Sequence, residues 1–324
     1  MKKALVTGGA GFIGSHIVDA LMSDGLRVTI CDNLSSGKLD NIQRNLGKDS
    51  CTFFKGDMLE GSAVSYVLKG CDVVWHLAAN PEVKLSSTNP DIHYKQNILA
   101  TYNLLEAIRK DGNVKILCFA STSTVYGDAL QIPTLEDCSP LEPVSVYGAS
   151  KLACEALISA YAHTYGFNAI IYRLANVVGP RSEHGVIYDF VRKLQGNPKE
   201  LEILGDGAQT KSYLHVRDCV EAMQYGLDNS KKQVEVFNVG SEDQINVKAI
   251  AEIVIEEMGL KGVELKFTGG VDGGRGWIGD VKNMLLDVGK LKALGWKPEL
   301  NSENAVRSAA KDLIKKMAVE RKSP

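Results

Sequence analysis

The sequence lacks an excess of charge of either sign. Its 324 residues contain 37 Lys and Arg against 39 Asp and Glu, so the formal net charge is only −2. A protein that binds nucleic acid or an anionic membrane surface through its charge needs a marked basic excess, and this near-neutral balance argues against one. We therefore predict no nucleic-acid partner and no membrane partner.

Cysteine is sparse and irregularly placed. The seven cysteines are an odd number, are scattered from Cys31 to Cys219, and include no C-x-x-C pair. Disulfide frameworks and zinc sites need paired or clustered cysteines, so neither is expected. The simplest interpretation is a cytoplasmic protein, in a reducing compartment, without a metal site.

Long apolar runs are also missing. The longest uncharged stretch, residues 156–172, contains His, Thr, Asn, Gly and three Tyr, which is too polar to span a bilayer. The apolar residues 4–6 lead at once into a glycine-rich turn, so they do not form the core of a signal peptide. No internal repeat or low-complexity tract is present.

The chain does contain a regular alternation of short apolar runs and amphipathic segments. The predicted strands of the first half are residues 3–7, 27–32, 52–57, 72–78, 114–121 and 168–174, and the predicted helices are 12–23, 61–69, 91–110 and 145–165. The strands are apolar throughout, as expected of strands buried on both faces of a parallel sheet. This order predicts an α/β fold with a Rossmann-like, doubly wound parallel sheet.

After residue 180 the pattern changes to shorter strands mixed with helices. The predicted strands are 201–204, 213–216, 234–239 and 263–267, and the helices include 247–258 and 303–316. We predict a dinucleotide-binding domain over residues 1–180 and a smaller C-terminal α/β substrate lobe over 181–324. The boundary is approximate, because later segments can return to the first domain.

A glycine-rich motif follows the first predicted strand. Gly8, Gly11 and Gly14 are spaced three residues apart, and Gly9, Gly11 and Gly14 satisfy G-x-G-x-x-G. Such glycines allow a tight turn, bring backbone N–H groups close to a pyrophosphate, and let the following helix pack closely on the strand. Because the motif lies between a predicted strand and a predicted helix, it indicates a dinucleotide site.

Two acidic residues follow the second and third predicted strands. Asp32 lies 18 residues beyond Gly14, close to the spacing of the carboxylate that binds the adenosine ribose, and no Arg follows it. A carboxylate there repels a 2′-phosphate, so the sequence favours NAD over NADP. Asp57 has two equally supported interpretations, an acceptor for the adenine amino group or a turn residue before a helix.

Tyr147 and Lys151 form a Tyr-x-x-x-Lys pair on a predicted helix. The i, i+4 spacing places both side chains on one helix face. We expect the lysine cation, with the positive nicotinamide ring nearby, to lower the tyrosine pKa, so that Tyr147 can accept a proton from a substrate hydroxyl while hydride leaves for NAD. The pair is common by chance and gains its meaning from the glycine motif.

Hydroxyl side chains end the fifth predicted strand, in the run Ser121-Thr122-Ser123-Thr124. The carboxyl end of a parallel strand is where such sheets bind ligands, so one hydroxyl could hold a substrate hydroxyl and relay its proton. The alternative is that these residues only cap their own turn.

Taken in order along nearly the whole chain, these motifs resemble the extended short-chain dehydrogenase/reductases, and among them the NAD-dependent nucleotide-sugar epimerases of the UDP-glucose 4-epimerase group. The landmarks are residues 7–14, 32–37, 56–57, 76–79, 121–127, 147–151, 173–176 and 205–207, together with Asn97. The resemblance implies a homodimer in which the helices 91–110 and 145–165 pair.

The resemblance also implies site residues. Those expected to bind NAD are Gly8, Gly11, Phe12, Ile13, Gly14, Asp32, Asn33, Ser35, Ser36, Gly37, Asp57, Met58, Leu77, Ala78, Ala79, Asn97, Tyr147 and Lys151. Those expected to bind a UDP-sugar are Lys84, Thr122, Tyr147, Asn176, Gly185, Val186, Leu204, Lys211, Tyr213, Arg275 and Asp280. The catalytic residues would be Tyr147, Lys151 and Thr122.

Two positions depart from the family pattern. Lys211 stands where the family often has Arg, which changes a bidentate phosphate contact into a point charge. Arg275 is offset from the usual arginine.

Met284 falls at or near a position that controls the space beside the sugar C2 substituent, and its flexible side chain predicts that N-acetylated sugars are accepted. The alternative is that Met284 faces the core.

The reaction implied is inversion of C4 of a UDP-hexose through a transient 4-keto sugar. Related dehydratases carry Thr-Asp-Glu before Val-Tyr-Gly, and related uronate decarboxylases carry Glu before Val, whereas this chain has Ser123 and Thr124. These hydroxyls favour epimerisation. The alternatives are a UDP-uronate epimerase or decarboxylase, a nucleotide-sugar dehydratase or reductase, and a non-enzymatic NAD sensor.

Overall fold

The structure, a computed structural model, describes residues 2–320. Its strands are β1 (Lys3–Thr7), β2 (Arg27–Asp32), β3 (Cys51–Lys55), β4 (Val73–His76), β5 (Ile116–Thr122), β6 (Asn168–Leu174), β7 (Asn176–Val178), β8 (Glu200–Ile203), β9 (Thr210–Lys211), β10 (Tyr213–His215), β11 (Val234–Val239), β12 (Ile245–Asn246), β13 (Glu264–Phe267) and β14 (Asn283–Met284). Its α-helices are α1 (Phe12–Ser23), α2 (Gly61–Leu68), α3 (Asp91–His93), α4 (Ala100–Asp111), α5 (Val146–Tyr165), α6 (Val186–Gly196), α7 (Val216–Asn229), α8 (Val247–Glu257), α9 (Gly289–Leu294) and α10 (Ser302–Glu320).

A parallel sheet forms the centre of the fold. Within residues 2–320 it contains seven strands in the order β11-β6-β5-β4-β1-β2-β3, and every pairing is parallel. The inner strands β1 and β4 are buried on both faces, which explains their unbroken apolar sequences. The predicted Rossmann-like fold class is confirmed.

Helices cover both faces of this sheet. On one face α1 packs with α7, and Ile17 and Met223 belong to the same fully buried cluster. On the other face α2, α4 and α5 pack together, with Val64, Leu104 and Ile158 fully buried between helices and sheet. The two layers fix the carboxyl ends of the strands, where the candidate site lies.

The part of the chain beyond residue 180 contributes to two bodies of structure. Helices α6, α8 and α10 pack with β8 and β13 around a separate apolar cluster that includes Val191, Val254 and Val306. However, α7 packs on α1, and β11 pairs with β6 to form one edge of the large sheet. The chain therefore crosses from the smaller lobe back to the larger one.

For most of the predicted strands, one or both ends differ from the prediction by one or two residues. Strand β4 stops at His76, where residues up to 78 were expected, because the chain leaves the ladder there and turns along the edge of the sheet. The predicted helix 91–110 is interrupted by a π-helical segment, Tyr94–Leu99, between α3 and α4. Apolar periodicity does not reveal such an insertion, and π-segments often occur at functional sites.

No helix within residues 2–320 is long and apolar enough to cross a membrane.

Candidate active site

A cleft of about 990 Å³ runs along the carboxyl ends of the central strands and reaches into the smaller lobe. It begins between β1 and β4, where the strand order reverses from one half of the sheet to the other. In doubly wound sheets this point is the usual ligand site, because loops on either side of it diverge and leave a crevice.

The glycine turn forms one wall of the cleft. Gly8 has a positive φ of 67°, and a Cβ there would lie 2.7 Å from the backbone nitrogen of Ala78, so only glycine fits. A Cβ on Gly14 would clash with the carbonyl of Gly8. Helix α1 begins at Phe12, and its N-cap residue Gly11 carries no side chain to occupy the first N–H groups. These groups therefore remain available to a phosphate.

Asp32 ends β2 at the same edge of the cleft and is only 7% exposed. Its carboxylate accepts hydrogen bonds from the backbone N–H of Ala10 at 2.9 Å and of Leu34 at 2.8 Å. Burial raises the pKa of Asp32, and these two N–H groups oppose that effect. Gly37 packs against the carboxylate, since a Cβ there would lie 2.8 Å from Oδ1. The backbone thus fixes the orientation of the carboxylate.

Asp57 lies in the cleft and holds the turn that follows β3. Its Oδ1 accepts the N–H of Leu59 at 2.9 Å, and its Oδ2 accepts the side-chain amide of Asn33 at 2.9 Å. The turn interpretation is therefore visible in the hydrogen bonds. The contact with adenine stays a prediction.

Tyr147 and Lys151 lie in the first two turns of α5 and both line the cleft. The Ser145 side chain caps the helix by accepting the N–H of Gly148 at 3.0 Å. The backbone N–H of Tyr147 donates to Ser86 Oγ at 3.1 Å, which ties the helix start to the loop that carries Lys84. Thr122, at the end of β5, lines the same cleft beside the Tyr147 side chain. The predicted catalytic residues therefore meet.

The protein's own groups do not lower the tyrosine pKa. Burial raises the pKa of Tyr147 to about 12, and the nearby Thr122 hydroxyl only partly opposes this. The expectation that Lys151 and the nicotinamide ring of bound NAD together lower the tyrosine pKa stays a prediction, since burial dominates in the protein alone. Burial also lowers the pKa of Lys151 to about 8, and its Nζ lies 4.1 Å from the centroid of the Phe119 ring.

Asn97 is hydrogen-bonded to the helix that carries Tyr147 and Lys151. Its side-chain amide donates to Ser150 Oγ at 2.8 Å, and Ser150 Oγ donates to the carbonyl of Tyr147 at 2.7 Å. Asn97 Oδ1 accepts the backbone N–H of Asn80 at 2.8 Å. Because Asn97 is 1% exposed and lies in the π-helical segment, it connects that segment to the Tyr147–Lys151 turn and does not line the cleft.

A buried ion pair supports the same helix and was missed by sequence reasoning. Glu155, one turn after Lys151, accepts from Arg173 Nη2 at 2.7 Å, and both side chains are 6% exposed. Ser121 also donates to Glu155, and Arg173 Nη1 donates to the Tyr126 hydroxyl at 2.9 Å. The available signal was the i, i+4 spacing from Lys151 to Glu155, which places both on one face.

The smaller lobe supplies charged groups to the far end of the cleft. Lys211 Nζ lies 2.6 Å from Oδ1 of Asp280, whose side chain is only 3% exposed. Arg275 does not line the cleft and instead pairs with Asp128 at 2.8 Å. Trp277, which sequence reasoning did not single out, lines the cleft beside Lys84 and Lys211. Within residues 2–320 no cluster of His, Cys, Asp and Glu could hold a metal ion.

The structure brings most of the predicted residues together in one cleft. Those lining it are Gly8, Gly11, Phe12, Ile13, Gly14, Asp32, Asn33, Ser35, Ser36, Asp57, Met58, Leu77, Ala78, Ala79, Lys84, Thr122, Tyr147, Lys151, Asn176, Gly185, Val186, Leu204, Lys211, Tyr213, Asp280 and Met284. Gly37, Asn97 and Arg275 lie behind or beside this lining. The individual ligand contacts of all these residues stay predictions.

The fold and the cleft together define a class of protein. The cleft contains a glycine turn at the switch point, an acidic residue that ends the second strand, and a Tyr–Lys pair. These are the parts of a dinucleotide-dependent enzyme that moves a hydride and a proton. Comparison with known proteins gives the family.

The chain belongs to the NAD dependent epimerase/dehydratase family, whose model matches residues 4–240. A putative UDP-glucose 4-epimerase of Methanocaldococcus jannaschii is 36% identical over 94% of this chain and 95% of its own length. A solved structure of a UDP-galactose 4-epimerase is 45% identical, covers 97% of this chain and 99% of its own, and superposes with a TM-score of 0.86. The UDP-glucose 4-epimerase of Thermus thermophilus, solved as a complex with NAD, is 33% identical over 96% of this chain and 99% of its own, with a TM-score of 0.84.

Relatives with other activities are almost as similar. A UDP-glucuronic acid decarboxylase of Xenopus tropicalis is 30% identical over 94% of this chain and 70% of its own length. A dTDP-D-glucose 4,6-dehydratase of Homo sapiens is 30% identical over 94% of this chain and 88% of its own. The comparisons therefore establish an NAD-dependent enzyme of nucleotide-sugar chemistry without fixing its reaction.

NAD is the cofactor of this family, and the cleft fits it. The open N–H groups at the start of α1 suit the pyrophosphate, and the fixed carboxylate of Asp32 suits a ribose diol.

Proposed function

We propose that the protein is an NAD-dependent 4-epimerase of UDP-hexoses, acting on UDP-glucose and UDP-galactose and also on their N-acetylated counterparts. The observation that carries the proposal is the meeting of Thr122, Tyr147 and Lys151 in a cleft shared by both lobes. The relatives named 4-epimerases, which match over almost the full chain, support it.

Tyr147 is the group that accepts the proton from the C4 hydroxyl, and Thr122 holds the tyrosine oxygen and relays the proton. The cation of Lys151 favours the ionised tyrosine. A bound NAD would accept the hydride that leaves C4 of the sugar and would add a positive charge to the site. Since protein burial keeps the pKa of Tyr147 near 12, this added charge explains why the base would work only in the holoenzyme.

Epimerisation also requires that competing reactions lack their catalysts. Elimination of water needs an additional acid and base near the keto sugar. The residues after Thr122 are Ser123 and Thr124, and Thr124 is already bonded to the Thr122 hydroxyl at 3.1 Å. Neither ionises near neutral pH, so the keto sugar is left to rotate and to accept hydride on its other face.

A UDP-uronate epimerase is the second candidate. It is favoured by Lys84 and Lys211, which bring two ammonium groups within 6 Å of one Trp277 ring at the substrate end of the cleft. A sugar carboxylate would find a cationic partner there.

We also propose a homodimer in the cytoplasm, formed through α4 and α5. Tyr102 and Tyr165 on these helices are 43% and 49% exposed, and the Arg109 guanidinium lies 5.8 Å from the Tyr165 ring centroid. Exposed aromatic and arginine side chains are enriched at protein interfaces. Light scattering during gel filtration tests this, and a monomer at micromolar concentration would contradict it.

The proposal is tested by incubating the purified protein with UDP-glucose or UDP-N-acetylglucosamine without added NAD and identifying the products. Interconversion with the galacto epimer supports it. A keto-deoxy sugar or CO₂ as product would contradict it, and turnover of a UDP-uronate alone would favour the second candidate. Binding of NAD without turnover of any nucleotide sugar would favour the alternative of a non-enzymatic NAD sensor.

A further inference from the structure

Trp277 carries a hydrogen-bond donor that nothing in the described chain satisfies. Its Nε1 is buried and has no partner, although the indole lines the cleft. The side chain stands between the lobes, with Lys84 Nζ from the larger lobe 5.0 Å from the ring centroid and Lys211 Nζ from the smaller lobe 5.6 Å from it.

An unsatisfied buried N–H normally costs stability, so its position in the fold is informative. Trp75 and Trp296 also have unpartnered Nε1 atoms, but both belong to the buried apolar cluster between the central sheet and helices α1 and α7. Trp277 differs because its side chain lines the cleft, although its Nε1 is shielded from solvent. A ligand acceptor is therefore the available partner for its N–H.

The charges around the ring indicate what kind of acceptor. Lys211 is held by Asp280 at 2.6 Å, whereas Lys84 lies 3.9 Å from Asp189, with both side chains nearly half exposed. Lys84 can therefore leave Asp189 for an anion that enters this end of the cleft. An anionic oxygen at the Trp277 N–H would lie within reach of two ammonium groups, which a neutral oxygen would not exploit.

We propose that Trp277 is a substrate-binding residue whose Nε1–H donates to an anionic oxygen of the nucleotide sugar, with Lys84 and Lys211 on either side. The anion is either a diphosphate oxygen or the carboxylate of a uronic acid. This inference rests on the proposed function, because it takes a nucleotide sugar as the ligand.

The test compares Trp277→Phe with the wild-type holoenzyme by calorimetric binding of UDP, UDP-glucose, UDP-glucuronic acid and uridine. Phenylalanine keeps an aromatic face for the two lysines and removes the N–H. Trp296→Phe is the matched control, because it removes an equally unpartnered N–H from the core. A hydrogen bond to a charged group is worth enough to weaken binding roughly 10- to 100-fold when it is lost.

Weaker binding of UDP and both UDP-sugars, with uridine unchanged, supports the inference and assigns the donor to the diphosphate. Weaker binding of UDP-glucuronic acid alone supports it and assigns the donor to the carboxylate. The inference is overturned if Trp277→Phe binds all four ligands with wild-type affinity. It is also overturned if this variant loses as much affinity for uridine as for UDP, or if Trp296→Phe weakens binding to the same extent. A wild-type protein that binds neither UDP nor UDP-sugars would overturn the proposed function as well.

Discussion

Replacing Lys151 with Met should make the protein more stable while it abolishes turnover. Lys151 is 3% exposed, and burial lowers its pKa from 10.5 to about 8. At about 1.4 kcal/mol for each pKa unit, this burial costs about 3 kcal/mol at pH 7. The contact of Nζ with the Phe119 ring, at 4.1 Å, returns about 0.5–2 kcal/mol. Methionine has a similar length and buries no charge, so the expected net gain is about 1–3 kcal/mol.

The pH dependence of this gain identifies its cause. Below pH 8 the lysine is protonated in both folded and unfolded chains, and the full cost is present. Between pH 8 and 10.5 the unfolded chain binds more protons, so the wild type gains stability as the pH rises and the difference between the two proteins shrinks. It should fall to less than half its pH 7 value by about pH 9.5.

The assay is urea unfolding of wild type and Lys151→Met at pH 7 and at pH 9.5, with the same NAD content in both proteins. Lys315→Met, on the exposed face of α10, is the control and should change stability by less than about 0.5 kcal/mol. A destabilised Lys151→Met variant, or a difference that does not change with pH, would refute the argument that the ammonium is buried at a cost.

Three further predictions concern the cofactor, the base and the substrate. Asp32→Ala should narrow the preference for NAD over NADP, measured by binding both dinucleotides, since repulsion of the 2′-phosphate is removed; equal wild-type affinities would overturn the role of Asp32. Tyr147→Phe should retain the fold and bound NAD but lose roughly 10²–10⁴-fold in turnover, and near-normal turnover would make Tyr147 a packing residue. Met284 is 7% exposed and lines the cleft, so Met284→Tyr should selectively slow epimerisation of UDP-N-acetylglucosamine; parallel rates on UDP-glucose would place the gate elsewhere.

The large sheet was predictable because its strands satisfy a simple physical demand. A parallel strand covered on both faces is apolar at most positions, and residues 3–7 and 168–174 match β1 and β6 without error. The return of β11 to this sheet was less predictable. Its sequence, residues 234–239, is also largely apolar apart from Glu235 and Asn238, but the partner of a strand depends on the path of the chain and not on its composition.

The candidate site was predictable where chemistry constrains the backbone. Glycines that permit the turn at Gly8 and the i, i+4 pair of Tyr147 and Lys151 leave a pattern in the sequence. Desolvation leaves no such pattern, so the sequence did not reveal that burial raises the pKa of Tyr147 in the protein alone. Trp277 was missed for a similar reason, because an unpaired N–H becomes visible only when its surroundings are known.

The central claim is that C4 of a UDP-hexose is oxidised and then reduced again by its own hydride. The most direct measurement follows deuterium at C4 of UDP-glucose through a complete turnover of the purified holoenzyme in ordinary water. The account predicts UDP-galactose that retains deuterium at C4, together with loss of this reaction in Tyr147→Phe. Hydrogen from solvent at C4 of the product, or a product other than the C4 epimer, would contradict it.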